Sequence, residues 1–276
     1  MHEWPLIAFT TLIQISIGCF LLTMFYRING KQEQTIHLPL MVSWFIGGVG
    51  LFVSVFHLGN PWHIFNTINN VFSSWMSREV VFVGGYMGLL TLSIACLIWR
   101  KTYINVLLML TTIVGICTVF VMSNIYVNSL FLLWNGWITY SSFVATTLIA
   151  GGVIACLALV ISLREQHNFL IIKQVITQFF TFAALAVVLN IISYLYLQGH
   201  IASNATIGIS AKYVDSALVL QLTLIKAILL VIGLSCMIFF RVKLEQGISL
   251  FVISIASISI VAAEIVGRCS FFFLGA

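Results

Sequence analysis

The chain has 276 residues, of which 61% are hydrophobic and only 7% are charged, and its formal net charge is +5 at pH 7. A soluble domain of this size does not carry so much apolar surface. The basic residues are spread over short loops and form no patch that would bind nucleic acid. The composition therefore excludes a soluble enzyme and a nucleic-acid-binding module, and it indicates an integral membrane protein.

Eight apolar runs follow one another along the chain, each long enough for the roughly 20 residues that cross a bilayer as a helix. They lack the alternation of apolar and polar residues, over about 10 residues, that strands of membrane β-barrels show. We therefore expect an all-α polytopic membrane protein with eight transmembrane helices in a bundle, forming a single membrane domain over residues 1–276. The runs are approximately 5–27, 38–57, 79–99, 103–125, 136–163, 173–197, 217–239 and 248–272.

The positions of the basic residues predict the orientation of these helices. Loops rich in Lys and Arg remain in the cytoplasm, and such residues follow the odd-numbered helices. With eight helices, both termini are then expected outside, on the periplasmic side of a bacterial membrane. The first run has no leading positive charge, so we expect a permanent helix and not a cleaved signal peptide. The basic loop residues are Arg27, Lys31, Arg100, Lys101, Arg164, Lys173, Arg241 and Lys243.

Charged and titratable side chains within the apolar runs are the candidates for function, because a charge inside a bilayer costs a few kcal/mol or more. His57 ends the second run, Arg78 and Glu79 open the third, and Glu264 and Arg268 lie in the last half of the eighth. By the predicted topology all five lie toward the outer face. Any chemistry is therefore expected near that face.

Glu264 and Arg268 are four residues apart with the acid first, a spacing that favours an ion pair on one helix face. They are expected either to form a structural salt bridge or to line a polar pocket or fix the helix against a partner. Lys226 lies about nine residues into the seventh helix, and it is expected to pair with a polar neighbour or to snorkel, and not to relay protons. Three further polar residues are expected to hydrogen-bond between helices: Gln14, Asn190 and Gln221.

His57 and Glu79 have the chemistry that a quinol site needs. A quinol loses two protons with its two electrons, and a histidine can exchange a proton near physiological pH. A carboxylate such as Glu79 can accept a proton if the segment of residues 58–78 folds back over the helix ends. The alternative for His57 is an interfacial cap of the second helix, before the helix-ending Gly59 and Pro61.

No metal site is expected in this protein. A haem needs axial ligands, normally histidines, buried within the helices, and of the six histidines only His57 belongs to an apolar run. The six cysteines occur singly, without the CxxC spacing of a metal or redox site. They are expected to be packing residues. Electron transfer would therefore use a bound organic carrier.

Three segments bear on the family: HEWPL at 2–6, HLGNP at 57–61 and AEIVGR at 263–268. In this combination the sequence resembles the membrane anchor of dimethyl sulfoxide reductase over its whole length. In that family an Asn pair and a Ser-x-Glu follow the His-Leu-Gly stretch, and their counterparts here are Asn66, Asn69 and Ser77-Arg78-Glu79.

The resemblance implies the anchor of a heterotrimer in the bacterial inner membrane, active in anaerobic respiration. The anchor would hold a four-cluster iron-sulfur subunit and a molybdopterin catalytic subunit on the outer face. It would bind and oxidise menaquinol, with His57 and Glu79 at the quinol site, and pass electrons to the iron-sulfur subunit. The anchor itself would not catalyse reduction of the S- or N-oxide, and its other contacts would be with membrane lipid.

Two alternatives remain at this stage. One is a structural anchor or assembly subunit without its own quinol site. The other is a small-solute transporter, whose sign would be helices broken by Gly or Pro near mid-membrane; the three prolines instead lie at predicted helix ends. The aromatic segment 58–78 fits an interfacial belt and a docking surface for the iron-sulfur partner equally well.

Overall fold

A computed structural model describes residues 4–29, 33–56, 70–131, 134–164, 169–207, 216–246 and 249–273. Within these ranges there is no strand, and eight helices are long and apolar enough to cross a membrane. The predicted all-α architecture with eight spans is therefore confirmed. The helices are α1 (Trp4–Ile28), α2 (His37–Val55), α3 (Trp75–Arg100), α4 (Asn105–Val127), α5 (Trp137–Leu163), α6 (Phe169–Ile207), α7 (Ser216–Lys243) and α8 (Leu250–Phe273).

Several helices extend beyond the apolar runs that predicted them, α3 and α6 among them. α3 begins at Trp75, with Ser74 as its N-cap, so Glu79 lies in the second turn and does not open the helix. α6 continues to Ile207, although its candidate span ends at Tyr196. Hydropathy detects only the part of a helix that lies in lipid, whereas backbone hydrogen bonds continue through polar residues as well.

Contacts between helix ends show how the helices alternate in direction. Arg27 of α1 donates a hydrogen bond of 2.7 Å to Asn105, the first residue of α4. The ring of Tyr126, near the end of α4, lies 5.4 Å from that of Phe271, near the end of α8. Trp134, just before α5, donates a hydrogen bond of 2.9 Å to the Phe271 carbonyl oxygen. The start of α1 and the end of α8 therefore share one end of the bundle.

We call the end that carries Trp4 and Phe273 the terminal end, and the opposite end the basic end. Lys173 at the basic end forms an ion pair of 2.5 Å with Glu245, which joins the start of α6 to the end of α7. The described basic residues at this end are Arg27, Arg100, Lys101, Arg164, Lys173, Arg241 and Lys243. This grouping is the one expected from the loops that follow odd-numbered helices.

The centre of the bundle is formed by α1 and α5. In each of these helices 72% of the most apolar 18-residue stretch is buried inside the bundle, whereas in α7 the buried share is 17%. α5 contains a π-helical turn at Thr147–Gly151, and this turn lies directly against Gly18 of α1. A Cβ atom on Gly18 would be 2.8 Å from the Thr147 carbonyl carbon and 2.9 Å from the Gly151 Cα atom. Glycine is therefore required for the two backbones to meet.

A buried group of hydroxyls joins α1, α2 and α3. The Tyr86 hydroxyl lies 3.0 Å from Ser16 Oγ and 3.1 Å from Ser43 Oγ. Ser16 and Ser43 also donate to each other's carbonyl oxygens, at 2.7 and 2.8 Å. All three side chains are fully buried. In lipid a polar group must find its partner within the protein, so these bonds fix the three helices in one register.

We predict that Gly18→Ala destabilises the protein, because the added methyl group must separate the α1 backbone from the π-helical turn. The expected cost is about 1–3 kcal/mol, typical of overpacking. Gly48→Ala in α2 is the matched control, since a Cβ atom there meets nothing within 4 Å. The measurement is the fraction of monodisperse detergent-solubilised protein that remains after a heating series. Equal loss in the two variants would contradict the close approach of α1 and α5.

Candidate functional site: charged and polar groups inside the bundle

Glu264 of α8 is fully buried, and its carboxylate contacts side chains from two other helices. Lys226 Nζ of α7 lies 3.2 Å from Oε1 and 3.2 Å from Oε2 of the carboxylate. Thr146 of α5 donates a hydrogen bond of 2.7 Å to Oε2. Lys226 also donates to Asn190 Oδ1 of α6, at 3.0 Å. The buried negative charge is thus neutralised by a cation from the neighbouring helix.

Arg268, one turn further along α8, is also buried and has different partners. Its Nη2 donates a hydrogen bond to Gln14 Oε1 of α1. Its guanidinium carbon lies 3.9 Å from the centroid of the Phe143 ring and 5.5 Å from that of Phe271. Aromatic faces attract a cation, and more strongly where water is excluded. Arg268 therefore joins α8 to α1 and α5 without a carboxylate contact.

The expectation of a salt bridge between Glu264 and Arg268 is wrong. The spacing places both residues on one face of α8, but Lys226 reaches the carboxylate from α7 and Gln14 receives the guanidinium from α1. Sequence spacing reports only neighbours on the same helix. The prediction that Lys226 pairs with a polar neighbour is confirmed, and so are the interhelical hydrogen bonds of Gln14 and Asn190.

This buried group lies deep along the helix axes and not near either end of the bundle. Lys226 follows Ser216, the start of α7, by ten residues, which is about 15 Å along a helix. Glu264 precedes Phe273, the end of α8, by nine residues, or about 14 Å. Both residues therefore lie in the terminal half of the bundle, close to its mid-depth.

A cavity of about 410 Å³ lies beside Lys226, between α5, α6, α7 and α8. Lys226 and Asn190 face it, together with Gly267 of α8. A Cβ atom on Gly267 would be 2.7 Å from Lys226 Nζ, so the lysine side chain lies across this glycine. Sequence reasoning did not find the cavity, because its walls come from four helices. The remaining lining residues include Ile138, Ser142, Val187, Tyr194, Leu230 and Phe271.

Arg78 and Glu79 lie at the start of α3, at the terminal end. Arg78 donates to the carbonyl oxygens of Val71 and Phe72, at 2.9 and 2.7 Å. Its guanidinium carbon lies 4.1 Å from the centroid of the Trp75 ring. Arg78 therefore fixes the turn that leads into α3. Glu79 is half-buried.

The register of α2 against α3 sets the level of Glu79. Gly47 of α2 lies against Met87 of α3, and Trp44 donates a hydrogen bond of 2.9 Å to Thr91, so the two helices are antiparallel. Eight residues after Gly47 is Val55, and eight residues before Met87 is Glu79. Glu79 is therefore level with the last turn of α2. His57, Asn66 and Asn69 lie outside the described residues.

We predict that Lys226→Met destabilises the bundle strongly, because it leaves the buried Glu264 carboxylate without a cation. Removing one partner of a buried ion pair costs about 3–5 kcal/mol. The double variant Lys226→Met with Glu264→Gln removes both charges and is expected to regain most of the lost stability. The measurement is the thermal stability of the detergent-solubilised protein, analysed as a double-mutant cycle.

The matched control is Lys173→Met, which removes the cation of the exposed ion pair with Glu245, whose side chains are 38% and 69% exposed. Exposed pairs contribute about 0–1 kcal/mol, so this change is expected to be nearly neutral. A Lys226→Met variant as stable as Lys173→Met would contradict the role assigned to the buried pair.

Comparison with known proteins gives a match over nearly the whole sequence. The family profile described as "DMSO reductase anchor subunit (DmsC)" matches residues 1–274. No solved structure matches.

Individual relatives match over shorter stretches. A subunit of the anaerobic dimethyl sulfoxide reductase of Haemophilus influenzae is 30% identical over 178 residues, which are 60% of this protein and 62% of the relative. The YnfH subunit of an anaerobic dimethyl sulfoxide reductase of Escherichia coli is 28% identical over 165 residues, 56% of each protein. The alignments thus span little more than half the length of these relatives. From the match over residues 1–274, the protein belongs to the family of dimethyl sulfoxide reductase anchor subunits.

Proposed function

We propose that this protein, as a single membrane domain, anchors an anaerobic molybdoenzyme reductase and oxidises menaquinol for it. Electrons pass from the quinol to an iron-sulfur subunit and then to a molybdopterin catalytic subunit, which reduces the S- or N-oxide. The observation that carries the proposal is the family match over residues 1–274. The names of the relatives support a reductase of the dimethyl sulfoxide type.

The quinol site is proposed at the terminal end of α2 and α3. The register brings Glu79 level with the last turn of α2, and His57 is the next residue in the sequence after Phe56, which follows that turn. Among the described residues Glu79 forms no ion pair, which leaves its carboxylate available to a proton. A histidine and a carboxylate near one quinol can accept the two protons that leave with the two electrons.

The iron-sulfur subunit is proposed to dock at the same end. Phe72 is 96% exposed and Met76 is 56% exposed, beside the turn that Arg78 fixes. Exposed aromatic and Met side chains are enriched at protein contacts. Docking here would bring the acceptor of electrons close to the quinol, and the shared location favours a docking surface over an interfacial belt alone.

The carrier is proposed to be the quinol alone. All six cysteines are free, and no group of three His, Cys, Asp or Glu side chains that could hold a metal is found in the described part of the sequence. The absence of a haem or an iron-sulfur cluster from this subunit stays a prediction.

We predict that the terminal end faces the periplasm of a bacterial inner membrane. The basic end carries most of the Lys and Arg residues, and such residues are retained in the cytoplasm. Alkaline phosphatase fused after Ala276 is expected to be active, since the enzyme folds only outside the cytoplasm. Phosphatase fused after Lys101 is the control and is expected to be inactive. The reverse pattern would contradict the orientation.

We predict that His57→Ala and Glu79→Gln each lower menaquinol-analogue oxidation by the membrane-bound complex about 10²-fold, the lower range for loss of a proton-transfer group. The control is His37→Ala, since His37 begins α2 at the basic end and packs against Tyr103, with ring centroids 5.5 Å apart. Retention of the catalytic subunits on the membrane is measured in the same preparations.

These variants also separate the proposal from its alternative. Oxidation that persists in both His57→Ala and Glu79→Gln, with the subunits still bound, would show that neither side chain is needed for it. His57 would then be interpreted as a helix cap. The same result would favour a structural anchor without its own quinol site at this position. Loss of binding together with oxidation in His37→Ala would show that the assay reports folding and not chemistry.

A further inference from the structure

The cavity beside Lys226 is open toward the lipid-facing surface of the bundle. Three of its lining residues, Ile191 and Leu195 of α6 and Val231 of α7, are 54%, 64% and 64% exposed. α6 and α7 contact each other only sparsely along their length. A molecule dissolved in the bilayer can therefore enter between these two helices without crossing water.

The inner wall of the cavity carries hydrogen-bonding groups, whereas most of the remaining lining surface is apolar. Lys226 Nζ has three N–H groups, and its partners in the protein are the Glu264 carboxylate and Asn190 Oδ1. Ser142 and Ser193 are also among the lining residues. An apolar cavity of 300–1,000 Å³ with a few convergent polar groups is the usual form of a small-molecule site.

The charge of the inner wall determines which class of ligand the cavity can bind. Glu264 neutralises Lys226, so the wall offers a polarised N–H donor without a net positive charge. This arrangement suits a neutral carbonyl oxygen better than an anion. A phospholipid headgroup about 15 Å from the helix ends would lose its water, which disfavours it at this depth. An acyl chain alone would leave the donors without a ligand oxygen.

A flat ring with carbonyl oxygens and an apolar tail satisfies these conditions. The rings of Tyr194 and Phe271 in the lining can pack against such a ring in offset or edge contacts. A quinone has this chemistry, and it dissolves in the bilayer from which the cavity opens.

We propose that the cavity between α6 and α7 is a second quinone-binding site, with a ring carbonyl accepting a hydrogen bond from Lys226. Its walls belong to α5, α6, α7 and α8, whereas the proposed oxidation site lies at the terminal end of α2 and α3. The second site and the proposed oxidation site have in common only the class of ligand that they bind. No electron transfer at this second site is required.

The experiment uses photolabelling of the whole complex in lipid nanodiscs with a short-chain azido-naphthoquinone, followed by mapping of the labelled peptides. Ala227→Phe fills the cavity from α7, because Ala227 lines it. Ile228→Phe is the matched control, since Ile228 is 59% exposed on the same helix and is not among the lining residues. Label on peptides of α6 and α7 is expected in the native complex and in Ile228→Phe. It is expected to fall about tenfold or more in Ala227→Phe, which leaves the ring no room.

The outcomes distinguish this inference from the proposed function. Label on α6 and α7 that persists in His57→Ala supports a separate site, whatever happens to quinol oxidation in that variant. Label confined to residues 57–79 would overturn the second site and leave the proposed oxidation site intact. Equal labelling of α6 and α7 in Ala227→Phe and Ile228→Phe would also overturn it.

Discussion

The carboxylate of Glu264 has to be neutralised inside the membrane, and much of the bundle is arranged around this requirement. Its cation comes from α7 and its hydrogen bond from α5, while α6 holds the cation through Asn190. α7 is the least buried of the eight spans, and it packs closely along α8 but only sparsely against α6. In a bilayer, helices gain no hydrophobic free energy by associating. Through Lys226, the ion pair with Glu264 and the hydrogen bond to Asn190 connect α7 to both α8 and α6.

The bundle consists of two regions joined through α1. On one side, the hydroxyls of Ser16, Ser43 and Tyr86 lock α1 to α2 and α3. On the other side, Gly18 packs against the π-helical turn of α5, and Gln14 accepts a hydrogen bond from Arg268 of α8. The proposed oxidation site belongs to the first region and the cavity to the second.

The spans could be predicted from sequence because apolar length is a property of one segment at a time. The intrahelical spacing of Glu264 and Arg268 predicted the wrong partner, since the true partners, Lys226 and Gln14, come from helices distant in the sequence. Tertiary packing decides such pairs. From the sequence, Glu79 was expected near the end of α2 only if the segment 58–78 folds back. The contact between Gly47 and Met87 sets the register of α2 and α3, and this register places Glu79 level with the last turn of α2. The cavity had no sequence signal, because four helices contribute isolated residues to it.

We propose that this subunit transfers electrons from quinol to its partners. The most direct measurement mixes a reduced menaquinol analogue with the oxidised complex in nanodiscs and follows reduction of the partner's iron-sulfur clusters by rapid-mixing absorption. The same measurement is made on the two partner subunits purified without this subunit. We expect fast reduction in the complex and, without this subunit, no reduction above the uncatalysed rate. Equal rates in the two preparations would contradict electron transfer through this subunit.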